Sequence, residues 1–416
     1  MSEDGASDGA RVVLGVSGGI AAYKACEVLR GLTESGHEVR VAPTRAALRF
    51  VGSATFEALS GNPVRTDVFE DVPEVAHVRL GQRADLVVVA PATADLIARA
   101  ANGLADDLLT STLLTARCPV LLVPAMHTEM WEHPATRHNV ATLRARGVVV
   151  AEPASGRLTG VDSGKGRLPE PEEIVDLARL LLADSAALPR DLEGRGVVVS
   201  AGGTREPLDP VRYLGNRSSG RQGFALARVA AQRGAEVTLV AANTADLPVP
   251  AGVRLRRVET AEQLRGAVFA AASGADAVVM SAAVADFRPA EHAAHKIKKT
   301  GSDPAPVELA RNPDVLSELV EARRTGALNT GLVIGFAAET GDPDTSVLEH
   351  GADKLARKGC DLLVVNAVGD GRAFEVEDNA GWLLATSGER RPLPHGAKSL
   401  LASRVWDAVG ERFAGN

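Results

Sequence analysis

The stretch Arg11-Val-Val-Leu-Gly-Val-Ser-Gly-Gly-Ile-Ala-Ala-Tyr-Lys24 turns from an apolar run into a helical pattern across three small residues. Val12, Val13, Leu14 and Val16 leave no polar alternation, which suits a strand covered on both faces. Ser17-Gly18-Gly19 ends the run. Ile20, Ala21, Ala25, Val28, Leu29 and Leu32 then recur at helical spacing, Gly36 is placed to stop the helix, and Glu38 to Ala42 reads as the next strand. A strand, a glycine turn, a helix and a second strand in that order imply a right-handed parallel crossover.

The pattern returns at Gly196. Val197 to Ser200 reads as a strand and Ala201-Gly-Gly-Thr204 as its loop. After a long excursion come a helix near Gln222 to Gln232, Gly234 as stop and a strand at Glu236 to Val240. Further buried strands are expected at Asp85–Ala90, Val120–Pro124 and Val148–Ala151, and at Asp276–Ser281, Leu332–Ala337 and Asp361–Asn366. Asp184 to Gly194 carries a proline and charges without periodicity, as a linker would. The expectation is an α/β protein of two Rossmann-like domains with mainly parallel sheets. Residues 1–10 form a disordered tail, 11–183 the first domain, 184–194 the linker and 195–416 the second domain.

Composition bounds the function. The chain has 416 residues, a net charge of -7 and only 3% aromatic residues, so its cores are built from small aliphatic side chains. Nothing in this charge calls for a nucleic-acid or membrane-surface partner. Cys26, Cys118 and Cys360 are far apart, without the spacing of a zinc site or a disulfide framework, which suits a reducing cytoplasm. No apolar run reaches the length of a bilayer span, and the first residues lack the pattern of a signal peptide. A glycine loop between strand and helix exposes N–H groups that bind phosphate well, yet the same glycines serve a plain tight turn. Neither loop has the spaced dinucleotide fingerprint, which speaks against a nicotinamide dehydrogenase.

Four segments in the first half occur in order: Gly15-Val-Ser-Gly-Gly-Ile-Ala-Ala-Tyr-Lys24, Ala76-His-Val-Arg-Leu80, Ala90-Pro-Ala-Thr-Ala-Asp-Leu-Ile-Ala98 and Pro124-Ala-Met-His-Thr-Glu-Met-Trp131. From about Arg11 to Leu182 the chain resembles the homo-oligomeric flavin-containing cysteine decarboxylases, and among them the phosphopantothenoylcysteine decarboxylases. The resemblance implies a flavodoxin-like fold and FMN as cofactor. It assigns Ser17, Gly18, Thr44 and Ser53 to the flavin, together with the turn Pro91-Ala92-Thr93 and Ser111 beyond it. It makes His77 the catalytic histidine, imidazole being a side chain that can both accept and donate a proton. Met126 falls to the substrate. His127 stands where many relatives carry an asparagine that holds the substrate carboxylate.

A second departure concerns Ser155-Gly-Arg-Leu-Thr-Gly-Val-Asp-Ser-Gly-Lys-Gly-Arg-Leu168. Many relatives carry a proton-donating cysteine at the position that is Gly160 here. Thr159, Asp162, Ser163 or a bound water remain to supply the proton, with Asp162 the first choice.

The second half carries seven further segments in order. They are Ala201-Gly-Gly-Thr-Arg-Glu-Pro-Leu-Asp-Pro-Val-Arg-Tyr213, Asn216-Arg-Ser-Ser-Gly220, Ala282-Ala-Val-Ala-Asp-Phe287, Lys296-Ile-Lys-Lys299, Arg311-Asn-Pro-Asp314, Gly335-Phe-Ala-Ala-Glu-Thr340 and Asn366. From about Gly196 onward the chain resembles phosphopantothenate–cysteine ligases. That resemblance implies CTP, cysteine and 4′-phosphopantothenate as substrates, an acyl-cytidylate intermediate, and Mg2+ held by the nucleotide phosphates rather than by a protein cage. It assigns Gly203, Ala282, Asp286, Asn312 and Phe336 to the nucleotide. Lys296, Lys298 and Lys299 form a cationic cluster for phosphate and for charge developing at the acyl centre, with Lys296 catalytic. Asn216 orients the acyl group and Arg212 meets the substrate phosphate.

Together the halves imply two consecutive steps of coenzyme A biosynthesis, because the ligase product is the decarboxylase substrate. The family pattern of trimeric decarboxylases and paired ligases implies a homo-dodecamer. Two rival functions are weaker: the attached ligase speaks against a flavoprotein acting on another thiol-carboxylate, and His77 with the complete ligase motif set speaks against a non-enzymatic regulatory subunit of decarboxylase-like fold.

Overall fold

Short Val- and Leu-rich runs, buried on both faces, build two separate, mainly parallel sheets. The computed structural model describes residues 9–66, 76–158, 163–244, 247–298, 306–339, 346–367 and 378–415. The chain divides into one unit of Met1–Leu188 with Pro250–Gly252 and a second of Pro189–Val249 with Val253–Asn416. Of the tail expected at 1–10, the first eight residues lie outside the described residues.

In the first unit, β1 (Arg11–Val16), β2 (Glu38–Pro43), β3 (Leu86–Ala92), β4 (Val120–Pro124) and β5 (Val149–Val150) form a parallel sheet. Their order is β2-β1-β3-β4-β5. This is the flavodoxin-like order, and it reverses direction between β1 and β3. All seven residues of β3 are buried, as expected of a central strand under helices on both faces.

The helical pattern expected from Ile20 onward is broken in two. A 3-10 turn spans Ile20–Lys24 and the α-helix runs Ala25–Glu34. Gly19 at the N-cap has no side chain to accept a first-turn N–H, and the chain tightens instead, with Ala22 N–H donating to the Gly19 carbonyl at 2.9 Å. A glycine in place of a side-chain cap costs only about a few tenths of a kcal/mol. Fully buried Val28, Leu29 and Leu32, at roughly 1.5–3 kcal/mol each, outweigh it. An antiparallel hairpin of β6 (Ala154–Arg157) and β7 (Ser163–Arg167) follows the sheet.

The second unit holds β8 (Gly196–Gly202), β9 (Arg205–Asp209), β10 (Arg212–Gly215), β11 (Glu236–Ala242), β12 (Val253–Val258) and β13 (Ala277–Met280). It continues with β14 (Phe287–Pro289), β15 (Leu309–Arg311), β16 (Leu332–Glu339), β17 (Leu362–Ala367), β18 (Asp378–Ala385) and β19 (Arg390–Ala397). Eight of these form one sheet in the order β12-β11-β8-β13-β16-β17-β18-β19. The first six are parallel and the last two antiparallel. The parallel part has the dinucleotide-fold order, reversing between β8 and β13.

The excursion after β8 is a hairpin, β9–β10, and β14–β15 is a second one. Pro207 and Pro210 hide the first from strand patterning. The helix Lys398–Ala414 packs on the helix Arg221–Gln232. Fully buried Trp406 donates to the Leu226 carbonyl at 2.9 Å. Buried Arg233 lies between Asp191 and Asp407 and donates to the Ser403 carbonyl at 3.1 Å, so its charge is paired on both sides.

Candidate active sites

Parallel sheets bind ligands beyond the carboxyl ends of their strands, where the strand order reverses. At the β1/β3 reversal, Ser17 is only 2% exposed. Its hydroxyl donates to the Pro91 carbonyl at 2.7 Å and accepts the Thr93 N–H at 2.9 Å. The Ala90–Pro91 bond is cis. Thr93 caps the helix Ala94–Asn102. Gly18 must be glycine, because a Cβ there would stand 2.4 Å from that of Ala46. Thr44 binds the Val16 carbonyl through its N–H at 2.9 Å and caps the next turn by accepting the Ala47 N–H at 3.2 Å.

A pocket of about 480 Å3 opens beside these turns. Ile20, Pro91, Met126, Met130, Leu158 and Leu168 give it apolar walls, and Tyr23, Lys24, Thr93, His127, Arg157 and Arg167 its polar groups. The β6–β7 hairpin is latched to the Met126 segment: Met126 N–H donates to the Gly166 carbonyl at 3.0 Å. Gly166 has φ +144, and a Cβ there would lie 2.3 Å from the Met126 carbonyl. A Cβ on Gly164 would lie 2.3 Å from the Thr128 hydroxyl. Glu170 joins the hairpin to the glycine turn by accepting from Arg167 at 2.5 Å and Lys24 at 2.7 Å.

Thus Pro91, Thr93, Met126 and His127 come together in one lining, with Ser17 beneath it and Ala92 buried in β3. Ser53 opens the helix Ser53–Ser60 and is exposed. Ser111, largely buried in the helix Leu108–Thr115, points its hydroxyl at the Ala105 carbonyl. His77 lies on the helix Ala76–Arg83, outside this lining. Its carbonyl accepts from Thr115 at 2.9 Å, and its buried Nδ1 has no partner among the described residues. Thr159, Gly160 and Asp162 lie outside the described residues.

At the β8/β13 reversal the roles of a glycine-rich loop are split. Gly202, at φ +83, makes the sharp turn, where a Cβ would meet the Ala242 carbonyl at 1.9 Å. Gly223 lets the helix Arg221–Gln232 touch the sheet, since a Cβ there would be 2.5 Å from that of Ala201. The β9–β10 hairpin is inserted between them. The cleft beyond has a volume of about 840 Å3. It is lined by 216–223, 280–286, 312–316 and 336–338, with Lys354, Lys358, Asn366 and Lys398.

Two amides shape its lip. Asn216 donates to the Val284 carbonyl at 3.0 Å and Asn312 to that of Ala285 at 2.8 Å. Thr204 accepts the Ala285 N–H at 3.0 Å. Asp314 would be raised by burial, but Lys358 and the Ser317 N–H hold its carboxyl below the usual range.

Asn216, Ala282, Asp286, Asn312 and Phe336 therefore share the cleft. Gly203 is buried behind it, its carbonyl accepting from Asn243 at 2.8 Å. Lys296 and Lys298 are exposed and do not line it, and Lys299 lies outside the described residues. Arg212 is bound to Asp209 and donates to the Ile297 carbonyl at 3.1 Å. The Arg212 hydrogen bond is the main reason the Asp209 carboxyl sits far below its ordinary value, against the effect of burial.

Both halves match family models: "Flavoprotein" over residues 1–182 and "DNA/pantothenate metabolism flavoprotein C-terminal domain" over residues 192–412. The coenzyme A biosynthesis bifunctional protein CoaBC of Mycobacterium bovis is 67% identical, over 97% of this chain and 97% of that protein. Its namesake in Vibrio vulnificus is 40% identical, over 95% and 96%. The crystal structure of the C-terminal domain of a CoaBC protein covers 55% of this chain and all of that domain, at 33% identity and a TM-score of 0.45.

The chain belongs to the coenzyme A biosynthesis bifunctional protein family. It is an enzyme with a flavoprotein decarboxylase half and a ligase half. The pocket and cleft also hold residues to which the motifs gave no role: Lys24, Arg157 and Arg167 in the first, and Arg217, Arg221, Lys354, Lys358 and Lys398 in the second. Arg157 and Arg167 flank the glycines of the hairpin, a signal that was present in the sequence. Lys354, Lys358 and Lys398 are distant in sequence and meet only through folding. Among the described residues no helix is long and apolar enough to cross a membrane, and no group of three or more His, Cys, Asp or Glu could hold a metal.

Proposed function

We propose that the chain makes 4′-phosphopantetheine in two steps. Its second unit joins cysteine to 4′-phosphopantothenate with CTP and Mg2+, through an acyl-cytidylate. Its first unit, holding FMN, decarboxylates the product and reduces it. The observation that carries this is the pairing, in one chain, of two sheets that each open a site at their strand reversal, one in flavodoxin order and one in dinucleotide order.

The first pocket fits FMN. Its apolar walls suit a flat ring system, Gly18 allows close approach at the β1 turn, and Lys24, Arg157 and Arg167 suit a phosphate. When bound, FMN supplies a two-electron oxidation of the cysteinyl side chain, giving the carbanion of decarboxylation an electron sink. Ser17 holds the Pro91 turn, and Thr44 and Thr93 cap the neighbouring turns. His77 moves the substrate proton, and His127 donates a hydrogen bond to the carboxylate. The position of His77 outside its own chain's lining supports a site completed by a second copy, with further contacts from Ser53 and Ser111. This fits a trimer of the first unit, and pairing of the second unit then gives a dodecamer. Asp162 or Thr159 delivers the reductive proton.

In the cleft, Phe336 and Ala282 form the base pocket, and Asp286 and Asn312 hold the nucleotide beside Gly203. Asn216 orients the acyl group. Mg2+ is carried by the phosphates. Lys296, with Lys298 and Lys299, neutralises the activated carboxylate, and Arg212 takes the substrate phosphate. The enzyme works in the cytoplasm.

The test is to incubate the purified chain with 4′-phosphopantothenate, cysteine, CTP and Mg2+, following product masses and pyrophosphate. Pyrophosphate release and a mass corresponding to 4′-phosphopantetheine are expected. Absence of both, in protein that retains its flavin, refutes the proposal.

A further inference from the structure

The ligase cleft is lined by five basic side chains and two acidic ones, and one of the acids, Asp314, is already paired with Lys358. The lining therefore favours a polyanion. Among the five, Lys398 differs in being only 8% exposed. It opens the helix Lys398–Ala414, which Trp406 and Arg233 fix against the helix Arg221–Gln232. Gln222, in the first turn of that second helix, donates to the Lys398 carbonyl at 3.2 Å. That first turn lines the cleft too, and its N-cap, Gly220, offers no capping side chain. The Arg221 N–H donates to the Ser219 hydroxyl at a long 3.5 Å, and a helix start carries partial positive charge and further N–H donors.

We propose, resting on the ligase function above, that Lys398 holds the β- and γ-phosphates of the nucleotide and the pyrophosphate that leaves. In the activation step a carboxylate oxygen of the substrate bonds to the α-phosphorus. The bond from the α-phosphorus to the bridging oxygen breaks, and its electron pair departs on pyrophosphate. The negative charge gained by the leaving group falls where a buried ammonium and the helix start act together. Because Lys398 is already packed, little side-chain freedom is lost when phosphate arrives. Exposed Lys296 and Lys298 lack this preorganisation.

The full chain carrying Lys398→Met tests this, with Lys398→Gln as a second neutral variant and Lys398→Arg as a charge-retaining one. Flavin spectrum and melting temperature check folding. Pyrophosphate release is measured against CTP and against 4′-phosphopantothenate, with inorganic tripolyphosphate and cytidine as separate inhibitors. Losing one charged hydrogen bond corresponds to roughly tenfold to hundredfold in binding. The KM for CTP rises by that factor in the neutral variants, and tripolyphosphate inhibition weakens in parallel. The KM for 4′-phosphopantothenate and inhibition by cytidine stay within about twofold, and Lys398→Arg recovers part of the loss. An unchanged KM for CTP with unchanged tripolyphosphate inhibition, in a folded neutral variant, overturns the assignment and leaves Lys398 a helix anchor. A wild-type chain that releases no pyrophosphate overturns the ligase function itself, a distinguishable failure.

Discussion

Ser17 and Pro91, seventy-four residues apart, are joined twice: the Ser17 hydroxyl and N–H both donate to the Pro91 carbonyl, at 2.7 and 3.2 Å. The same hydroxyl accepts the Thr93 N–H at 2.9 Å. One buried oxygen thus ties the ends of β1 and β3 at the strand reversal. Ser17→Ala leaves the Thr93 N–H without this partner, a loss of about 1–3 kcal/mol. We expect a lower melting temperature and at least about tenfold weaker flavin binding, read by fluorescence titration of the apoprotein. Unchanged flavin affinity would mean that the turn keeps its shape without the tie.

Gly166→Ala should separate the hairpin from the pocket. Its φ of +144 disfavours a side chain, and the added Cβ would meet the Met126 carbonyl at 2.3 Å. Decarboxylation of added 4′-phosphopantothenoylcysteine is expected to fall by tenfold or more, with pyrophosphate release unchanged. Equal loss of both activities would point to general unfolding instead.

His77→Asn is expected to retain flavin and ligase turnover while CO2 release drops by a factor of about 100 or more. The imidazole is the group whose loss should matter, because its Nδ1 is buried without a partner among the described residues. Undiminished decarboxylation by the variant would remove His77 from the mechanism.

The cysteines are expected to be dispensable. Burial raises the thiols of Cys26 and Cys118 above their ordinary value and pushes Cys360 up to about 11. Thiolate, the reactive form, is therefore scarce at neutral pH. In native protein at pH 7.5 we expect little alkylation by iodoacetamide. Replacing all three with Ser or Ala should leave turnover to 4′-phosphopantetheine within about twofold, because none is needed for proton delivery. Accumulation of the oxidised enethiol by the cysteine-free protein, seen by mass, would show that one of them reaches the site.

Asp209 predicts a pH dependence. Its carboxyl is depressed in the folded state, chiefly by Arg212, so its stabilising effect is complete above the unfolded value of about 4 and lost as pH falls towards the folded one. Asp209→Asn should lower the melting temperature by a constant amount between pH 5 and 7, and the gap should narrow below about pH 4. A gap of unchanged size down to pH 3 would rule out this linkage.

The two sheets were legible because buried parallel strands leave uninterrupted aliphatic runs. Arg11–Val16 and Val120–Pro124 agree with the expected strands, and β3 and β8 differ by only a residue or two. The broken start of the first helix was less visible, because a 3-10 turn and an α-helix share nearly the same apolar spacing. The β9–β10 hairpin was hidden by its prolines and charges, since an exposed arm needs no alternating apolar face.

The sequence by itself determined the strand and helix periods, the glycine turns and, through long motifs, the two halves of a coenzyme A enzyme. Local spacing carries that information, because a strand or a turn is specified by neighbours in the chain. Only the tertiary structure decided which charges meet. It drew Lys354, Lys358 and Lys398 into one cleft with Asn216, while leaving Lys296 and Lys298 exposed outside it. It also joined Lys24 to Arg167 through Glu170. Such groupings depend on strand order and helix docking, which bring distant residues together through long-range packing that no local pattern of residues encodes.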